Sequence, residues 1–150
     1  MVNSRFAVAI HVLALLAIEN SDQPTTSEYL AYSASTNPVV IRRLLIDLRK
    51  AGLVTAQPGA GGGVSLACCP DQVTLLDVYH AVEKAKLFSQ GLRKPNPDCI
   101  CGRNIQPVLA ETFGKAEKAL ELSLSETTLA QFARQIEECD EQNSQECVAE

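Results

Sequence analysis

A polar cluster between positions 36 and 49 carries side chains that suit the chemistry of a DNA base edge. Arginine can donate two parallel hydrogen bonds to guanine, asparagine can pair with adenine, and valine can pack against the methyl group of thymine. The alternative is an amphipathic helix whose basic face only meets solvent. We predict that the DNA-contacting residues of this cluster are Thr36, Asn37, Pro38, Val39, Arg42, Arg43 and Arg49.

Six cysteines form a second group with chemistry of its own. A reactive thiol needs exposure and a lowered pKa. Cys99 lies just before a predicted helix start and close in sequence to Arg103, and both features favour the thiolate. We predict that Cys99, and after it Cys101, are redox-sensing residues. The alternative is that both are linker residues without a chemical role. The full set is Cys68, Cys69, Cys99, Cys101, Cys139 and Cys147.

Metal binding and catalysis receive less support from the sequence. Cys99 and Cys101 are one residue apart, which is closer than the usual spacing of metal ligands. No cofactor is therefore expected and no metal site is assigned, with an iron–sulfur cluster on this pair as the alternative interpretation. A thiol redox enzyme is disfavoured because the chain has no Cys-x-x-Cys motif. His11 and His80 have no obvious nucleophile beside them, so the sequence predicts no catalytic residue and no enzyme.

The element that must present the basic cluster is a helix with recognisable ends. Asn37 is a suitable N-cap, and Pro38 fits the first helical position, where it loses no hydrogen bond. Gly52 marks the other end. Between these ends the apolar residues recur at helical spacing, and they are Ile41, Leu44, Leu45 and Leu48.

A shorter helix precedes this one. Thr25 and Glu28 have the spacing of a capping box, which predicts a helix over residues 28–33. A turn over residues 35–38 then leads into the longer helix. Two helices joined by so short a turn are typical of a helix-turn-helix motif, whose second helix enters the major groove.

A small hairpin follows the longer helix. Residues 53–57 and 64–66 are predicted strands, and a glycine-rich turn separates them. Gly61 and Gly62 are predicted to let the backbone approach a sugar-phosphate chain closely. The alternative is that the glycines only make the hairpin flexible and have no role in DNA contact. A helix followed directly by a hairpin indicates a winged helix-turn-helix.

The C-terminal half is predicted to be helical and to form a dimer. A capping box of Ser123 and Glu126 would introduce the last helix, and the acidic segment after residue 137 is expected to fray. Before it runs one apolar stripe at helical spacing. A long helix of this kind often packs against its twin, although packing within one chain explains the stripe as well. The predicted interface residues are Ile105, Leu109, Phe113, Ala116 and Leu120.

The predicted fold is therefore mainly α with a small β-hairpin wing. It consists of a winged helix-turn-helix domain plus a long C-terminal dimerisation helix. An almost entirely apolar first helix over residues 4–19 should be buried in the DNA-binding domain. The predicted divisions are a DNA-binding domain over 1–84, a cysteine-containing linker over 85–103, dimerisation helices over 104–137 and an acidic tail over 138–150.

The net charge of −5 is unusual for a DNA-binding protein, but it is unevenly distributed. Residues 1–67 carry five basic and four acidic side chains, whereas residues 68–150 carry eight and fourteen. Because local charge governs contact with phosphate, the N-terminal half can bind DNA, although weakly per protomer. A homodimer on a palindromic operator is therefore expected. A winged-helix protein that binds only other proteins is the alternative.

The chain contains no apolar run long enough to span a bilayer. The apolar segment over residues 6–18 follows a single arginine and lacks a convincing cleavage site, so we interpret it as a helix of the folded protein rather than a signal peptide. The sequence thus predicts no membrane partner and a cytoplasmic location.

Taken together, several segments resemble the Rrf-type winged helix-turn-helix regulators of bacteria, a family that includes iron–sulfur, nitric-oxide and cysteine-metabolism sensors. The resemblance implies a homodimeric transcription regulator, a repressor, whose long C-terminal helix crosses to the partner. The matching segments are 6–11, 36–44, 48–54, 59–63 and 75–83, and segments 96–99 and 104–106 also fit a cluster-less branch of the family.

Two departures from the family pattern are visible. Cluster-binding members place three well-separated cysteines before the long helix, whereas this linker holds only Cys99 and Cys101. Many members also carry an arginine beside the glycines of the wing for the minor groove. Gln57 or Pro58 occupies that place here, so the resemblance does not extend to minor-groove contact.

Overall fold

The computed structural model describes residues 4–20, 22–85, 87–89 and 93–148. Within them the chain is mostly helical, with one antiparallel two-stranded sheet, as the sequence predicts. None of the described helices is long and apolar enough to cross a membrane. The elements are α1 (Ser4–Glu19), α2 (Ser27–Ser33), α3 (Pro38–Lys50), β1 (Val54–Gln57), β2 (Gly63–Leu66), a 3-10 turn (Pro70–Gln72), α4 (Leu75–Val82), α5 (Ile100–Ser125) and α6 (Leu129–Val148).

The predicted ends of α3 are confirmed. The Asn37 side chain accepts a hydrogen bond from the amide of Val39 at 2.8 Å, and Pro38 is the first helical residue. At the other end Gly52 has a φ of +75°, which a residue with a side chain rarely adopts. Local signals thus fix where the helix begins and ends.

The predicted capping box of α2 is wrong by one residue. Thr26, not Thr25, is the N-cap, and its hydroxyl accepts from the amide of Tyr29 at 3.3 Å. Thr25 instead pairs with Val64 of β2 through two backbone hydrogen bonds of 2.8 Å. The extended backbone that this pairing requires keeps Thr25 outside the helix and ties the start of α2 to the wing.

The wing is a tight hairpin. Its two strands pair in register from Val54 opposite Leu66 to Gln57 opposite Gly63. A Cβ added at Gly62 would lie 2.2 Å from the carbonyl oxygen of Gln57, so the turn has no room for a side chain there. The close approach explains a glycine at this position of the turn.

One hydrophobic core holds five of the helices together. It contains fully buried residues of α1, α2, α3, α4 and α6, and these include Val12, Leu13, Leu30, Ile41, Leu48, Val78 and Leu129. α6 packs along α1, so the last helix belongs to the same core rather than to a separate unit. At the start of α4, Thr74 and Asp77 form a capping box, in which each side chain accepts from the backbone amide of the other residue.

The boundaries in the C-terminal half differ from the expected ones. α5 already begins at Ile100, so Cys101 lies in its first turn. Ser123 lies inside α5 and Glu126 caps its end, so the predicted capping box there is wrong. The reciprocal hydrogen bonds that introduce α6 join Thr128 and Gln131 instead.

The acidic segment after residue 137 was expected to fray, but it is helical as far as Val148. Glutamate and glutamine are good helix formers, so a polar composition alone does not end a helix.

Candidate nucleic-acid interface

An open groove of about 700 Å³ lies between the start of α2, the outer side of α3 and the wing. We call it the recognition groove. Both basic residues in its lining, Arg42 and Arg49, come from α3, and the glycines of the wing form the facing side. The groove therefore brings a basic helix face and a glycine-rich backbone turn to one concave surface.

The predicted DNA-contacting residues fall into two neighbouring groups, one in the lining of the recognition groove and one outside it. Arg42, Arg49, Gly61 and Gly62 line the recognition groove. The others stand at the N-terminal end of α3, outside the groove lining, with Asn37, Val39 and Arg43 exposed and Thr36 and Pro38 half-buried. These five residues lie directly before α3 or in its first two turns, and they are Thr36, Asn37, Pro38, Val39 and Arg43.

Asn37 has a structural task that limits its use as a base reader. Its side-chain oxygen already accepts from the amide of Val39. A bidentate contact with adenine needs that oxygen as well as the side-chain nitrogen. The N-capping role of Asn37 thus competes with the predicted contact.

Arg42 is held by two residues of α2. Its Nη2 lies 2.5 Å from Glu28 Oε1, and its Nε donates to Ser27 Oγ at 3.3 Å. The pKa of the Glu28 carboxyl is lowered, first by a backbone hydrogen bond within the residue itself and then by Arg42. Sequence reasoning missed Glu28 as part of the site because it lies fourteen positions from Arg42 on another helix.

Asp47 anchors the opposite side of α3. It is 9% exposed, and its carboxylate accepts from Lys84 Nζ at 2.9 Å and from Arg5. The hydrogen bond from Lys84 is the main cause that holds the pKa of Asp47 below its ordinary value. The sequence did carry a signal for this residue, since Asp47 falls between Leu44 and Leu48 on the apolar face of the helix.

The wing offers no cationic side chain to DNA. No lysine or arginine occurs between Val54 and Leu66. Gln57 and Pro58 are exposed, and one of them stands where many Rrf-type regulators carry an arginine. Contact between the wing and a phosphate would therefore use backbone amides, and the charge of the interface comes from α3.

Cys99 is the N-cap residue of α5, and it is exposed. Backbone hydrogen bonds from Gly102 and Cys101 lower the pKa of its thiol. The direction agrees with the sequence prediction. Of the two predicted causes, the helix start contributes, whereas Arg103 is not among the causes and its guanidinium donates to the carbonyl of Pro97. Cys101 is also exposed, whereas Cys68 is half-buried and burial raises the pKa of its thiol. The side chain of Cys147 lies outside the described residues.

The described residues of one chain do not fit an iron–sulfur cluster. Such clusters are usually held by four thiolates. Among residues 4–20, 22–85, 87–89 and 93–144, no three histidine, cysteine, aspartate or glutamate side chains lie close enough together to hold one metal ion. Cys99 and Cys101 would have to act without a third ligand from this set.

The predicted interface stripe of α5 is only partly free. Phe113 stacks on Phe88 with ring centroids 4.7 Å apart, and Leu120 faces the end of α4. Ile105 and Leu109 are half-buried, and Ala116 is exposed. A second set of apolar residues of α5 is more exposed, namely Ile100 at 73%, Val108 at 62% and Leu122 at 63%.

Comparison with known proteins identifies the family. Residues 2–135 match the model of the Rrf2 family, described as an iron-dependent transcriptional regulator. A Bacillus subtilis protein, YwnA, described as an HTH-type transcriptional regulator, is 43% identical over 129 residues, which cover 86% of this chain and 94% of YwnA. These relatives are transcriptional regulators and not enzymes.

Solved structures show the same fold. A protein described as DNA-binding is 40% identical, with a TM-score of 0.68 over 85% of this chain and 97% of that one. The IscR protein of T. potens is 24% identical, with a TM-score of 0.71 over 93% of this chain and 90% of that one, and shares the winged-helix architecture. On the family match and the 43% identity, this chain belongs to the Rrf2 family of DNA-binding transcriptional regulators.

Proposed function

We propose that the protein is a homodimeric repressor that binds a palindromic operator in the cytoplasm. The observation that carries this proposal is the recognition groove, in which Arg42 and Arg49 of α3 face the wing. In a helix-turn-helix protein the N-terminal part of the second helix contacts base edges. Arg42 and Arg43 lie in that part of α3 and are exposed. Because few basic side chains are available per protomer, tight binding needs two copies of α3, one from each protomer.

The exposed apolar side chains of α5 support the dimer. This helix has 26 residues, and the described part of the chain fully buries none of them. Val108 and Leu122 leave more than half of their surface to solvent. Burial of apolar surface stabilises association by about 25 cal/mol per Å² before the costs of binding are subtracted. Packing of α5 against its twin would cover these residues and set the two α3 helices about 34 Å apart, one turn of DNA.

Cys99 and Cys101 are the residues that we propose to respond to oxidation. The exposed Cys99 thiolate would attack the oxygen–oxygen bond of a hydroperoxide and become a sulfenic acid, while the second oxygen leaves as water or an alcohol. Cys99 directly precedes α5, and backbone amides of the first turn of α5 interact with its thiol, so we propose that oxidation of this sulfur alters the start of the helix that we assign to the dimer. An iron–sulfur cluster is the alternative signal, and it would need ligands beyond the described residues of one chain.

Selection from a pool of random DNA duplexes tests the proposal. The native protein should enrich duplexes with two-fold symmetry whose half-sites are one helical turn apart. Enrichment of no duplex even at low salt would contradict the proposal and favour a winged-helix module that binds proteins. In that case the dominance of acidic residues over basic ones, with a net charge of −5, would be the relevant feature.

A further inference from the structure

Ser27 and Glu28 hold Arg42 by one edge of its guanidinium group. Arg42 Nε donates to Ser27 Oγ at 3.3 Å, and Arg42 Nη2 donates to Glu28 Oε1 at 2.5 Å. Ser27 Oγ donates in turn to Glu28 Oε2 at 3.2 Å. Three side chains from two helices thus form a closed ring of hydrogen bonds in the lining of the recognition groove.

This ring leaves the outer edge of the Arg42 guanidinium available. The group has five N–H donors in a rigid planar fork. Nε and one hydrogen of Nη2 are used, and within the described part of the chain Nη1 has no hydrogen-bond partner. One N–H bond of Nη1 and the remaining N–H bond of Nη2 point outward side by side from the end of the group. They match the O6 and N7 acceptors of guanine in the major groove.

The ring is well suited to a role in recognition rather than in stability. The side chains of Arg42 and Glu28 are 56% and 61% exposed, and exposed ion pairs contribute little to folding. Glu28 also lies in the first turn of α2, where the helix dipole favours a negative charge. The charged form of its carboxylate is therefore favoured, and it lies beside the expected path of the DNA.

We propose that Glu28 is a positioning residue that sets base specificity through Arg42. With Ser27 it fixes the guanidinium with its outer edge free for one guanine of each half-site. Its charge also repels phosphates, so a duplex that lacks this guanine gains little from Arg42. This inference rests on the proposed base-reading role of Arg42.

Binding measurements on variants of the full chain test this role. The probes are the duplex most enriched by the native protein and a scrambled duplex of equal length. For Glu28→Gln we expect tighter binding to the scrambled duplex and a preference for guanine at the Arg42 position that is reduced roughly 5-fold or more. Ser27→Ala should reduce the same preference without tighter binding to the scrambled duplex, because the charge of Glu28 remains.

Glu111→Gln is the matched control, because Glu111 also pairs with a basic residue, Lys115, but on α5. It removes the same charge and should leave the base preference unchanged. The inference is overturned if Glu28→Gln keeps the native base preference, or if it strengthens binding to both duplexes by the same factor.

Arg42→Ala separates this inference from the proposed function. Loss of one guanine preference in Arg42→Ala, together with an unchanged preference in Glu28→Gln, would overturn the positioning role alone. An unchanged preference at every position in Arg42→Ala would overturn the base-reading role of Arg42 and the inference with it.

Discussion

Lys84 Nζ donates to Asp47 Oδ1 at 2.9 Å and thereby joins α3 to the segment that follows α4. Asp47 also binds Arg5 of α1. The inner side of α3 is thus fixed to two other parts of the domain, while its outer side carries the basic residues. A fixed helix can present its side chains to DNA at a defined angle, so we expect Asp47 to matter for both folding and binding.

Replacement of Asp47 by asparagine should destabilise the protein in a pH-dependent way. The folded-state pKa of Asp47 is lowered from an ordinary value of about 3.8. Its charge therefore stabilises the fold above that pH, and the stabilisation is lost as the pH falls through the lower folded-state pKa. Thermal unfolding at neutral pH should give a lower Tm for Asp47→Asn than for the native chain, with the difference shrinking below pH 3.8.

The exposed Asp22 supplies the control for this prediction, and Asp22→Asn should unfold like the native protein. A Tm difference for Asp47→Asn that stays constant or grows as the medium becomes acidic would contradict the assignment.

Introduction of a methyl group at Gly62 should distort the wing. The added Cβ would lie 2.2 Å from the backbone oxygen of Gln57, which cannot move without opening the hairpin. We expect Gly62→Ala to lower the free energy of unfolding by roughly 1–3 kcal/mol and to speed hydrogen exchange at the amides of β1 and β2. Ala60→Ser, at an exposed position of the same turn, should change neither quantity. Equal behaviour of the two variants would show that the turn is wider than described.

Charges on the exposed face of α5 should separate the protomers. Val108→Glu combined with Leu122→Glu places carboxylates where the proposed partner helix packs. Because both side chains are mostly exposed in one chain, the protomer itself should stay folded. Light scattering after gel filtration should give the mass of a monomer for this variant and of a dimer for Tyr32→Glu, whose side chain is 82% exposed on α2. A dimer mass for both would place the interface elsewhere.

Cys99 should react with alkylating agents before Cys68 does. The pKa of the Cys99 thiol is lowered by the amides of Gly102 and Cys101, whereas burial raises that of Cys68. At neutral pH the thiolate fraction is therefore larger at Cys99, and only the thiolate is nucleophilic. Mass spectrometry of peptides after a short iodoacetamide pulse should show this order.

If Cys68 is labelled first, the environment assigned to Cys99 is wrong.

The proposed oxidation of Cys99 is tested by a variant. Cys99→Ser should abolish any effect of hydroperoxide on DNA binding. An unaltered oxidant response in this variant would exclude Cys99 as the sensor.

Much of the DNA-binding half could be predicted because its signals are local. Asn37, Pro38 and Gly52 act on their own neighbours, so the ends of α3 follow from the sequence alone. The N-cap of α2 could not be predicted from the sequence, because Thr25 and Thr26 are chemically equal as caps. The pairing of Thr25 with Val64, far along the chain, decides between them.

The same limit applies to α6 and to the recognition groove. Thr128 forms a β-bridge with Thr74, which places the true start of α6 beyond the pattern at Ser123. Likewise, the pairing of Glu28 with Arg42 depends on how α2 packs on α3. Helical periodicity shows which face of a helix is polar, but not which polar groups of two helices meet.

The most direct test of the central claim is DNA binding by Arg42→Ala combined with Arg43→Ala. Each bidentate base contact is worth about 1–3 kcal/mol of discrimination, so the pair should cost roughly 30-fold or more in affinity for the selected duplex. The dimer mass should be unchanged. Lys94→Ala combined with Arg134→Ala removes the same charge outside the recognition groove and should bind like the native protein. If the Arg42 and Arg43 variant binds the duplex as tightly as this control, α3 is not the element that recognises DNA.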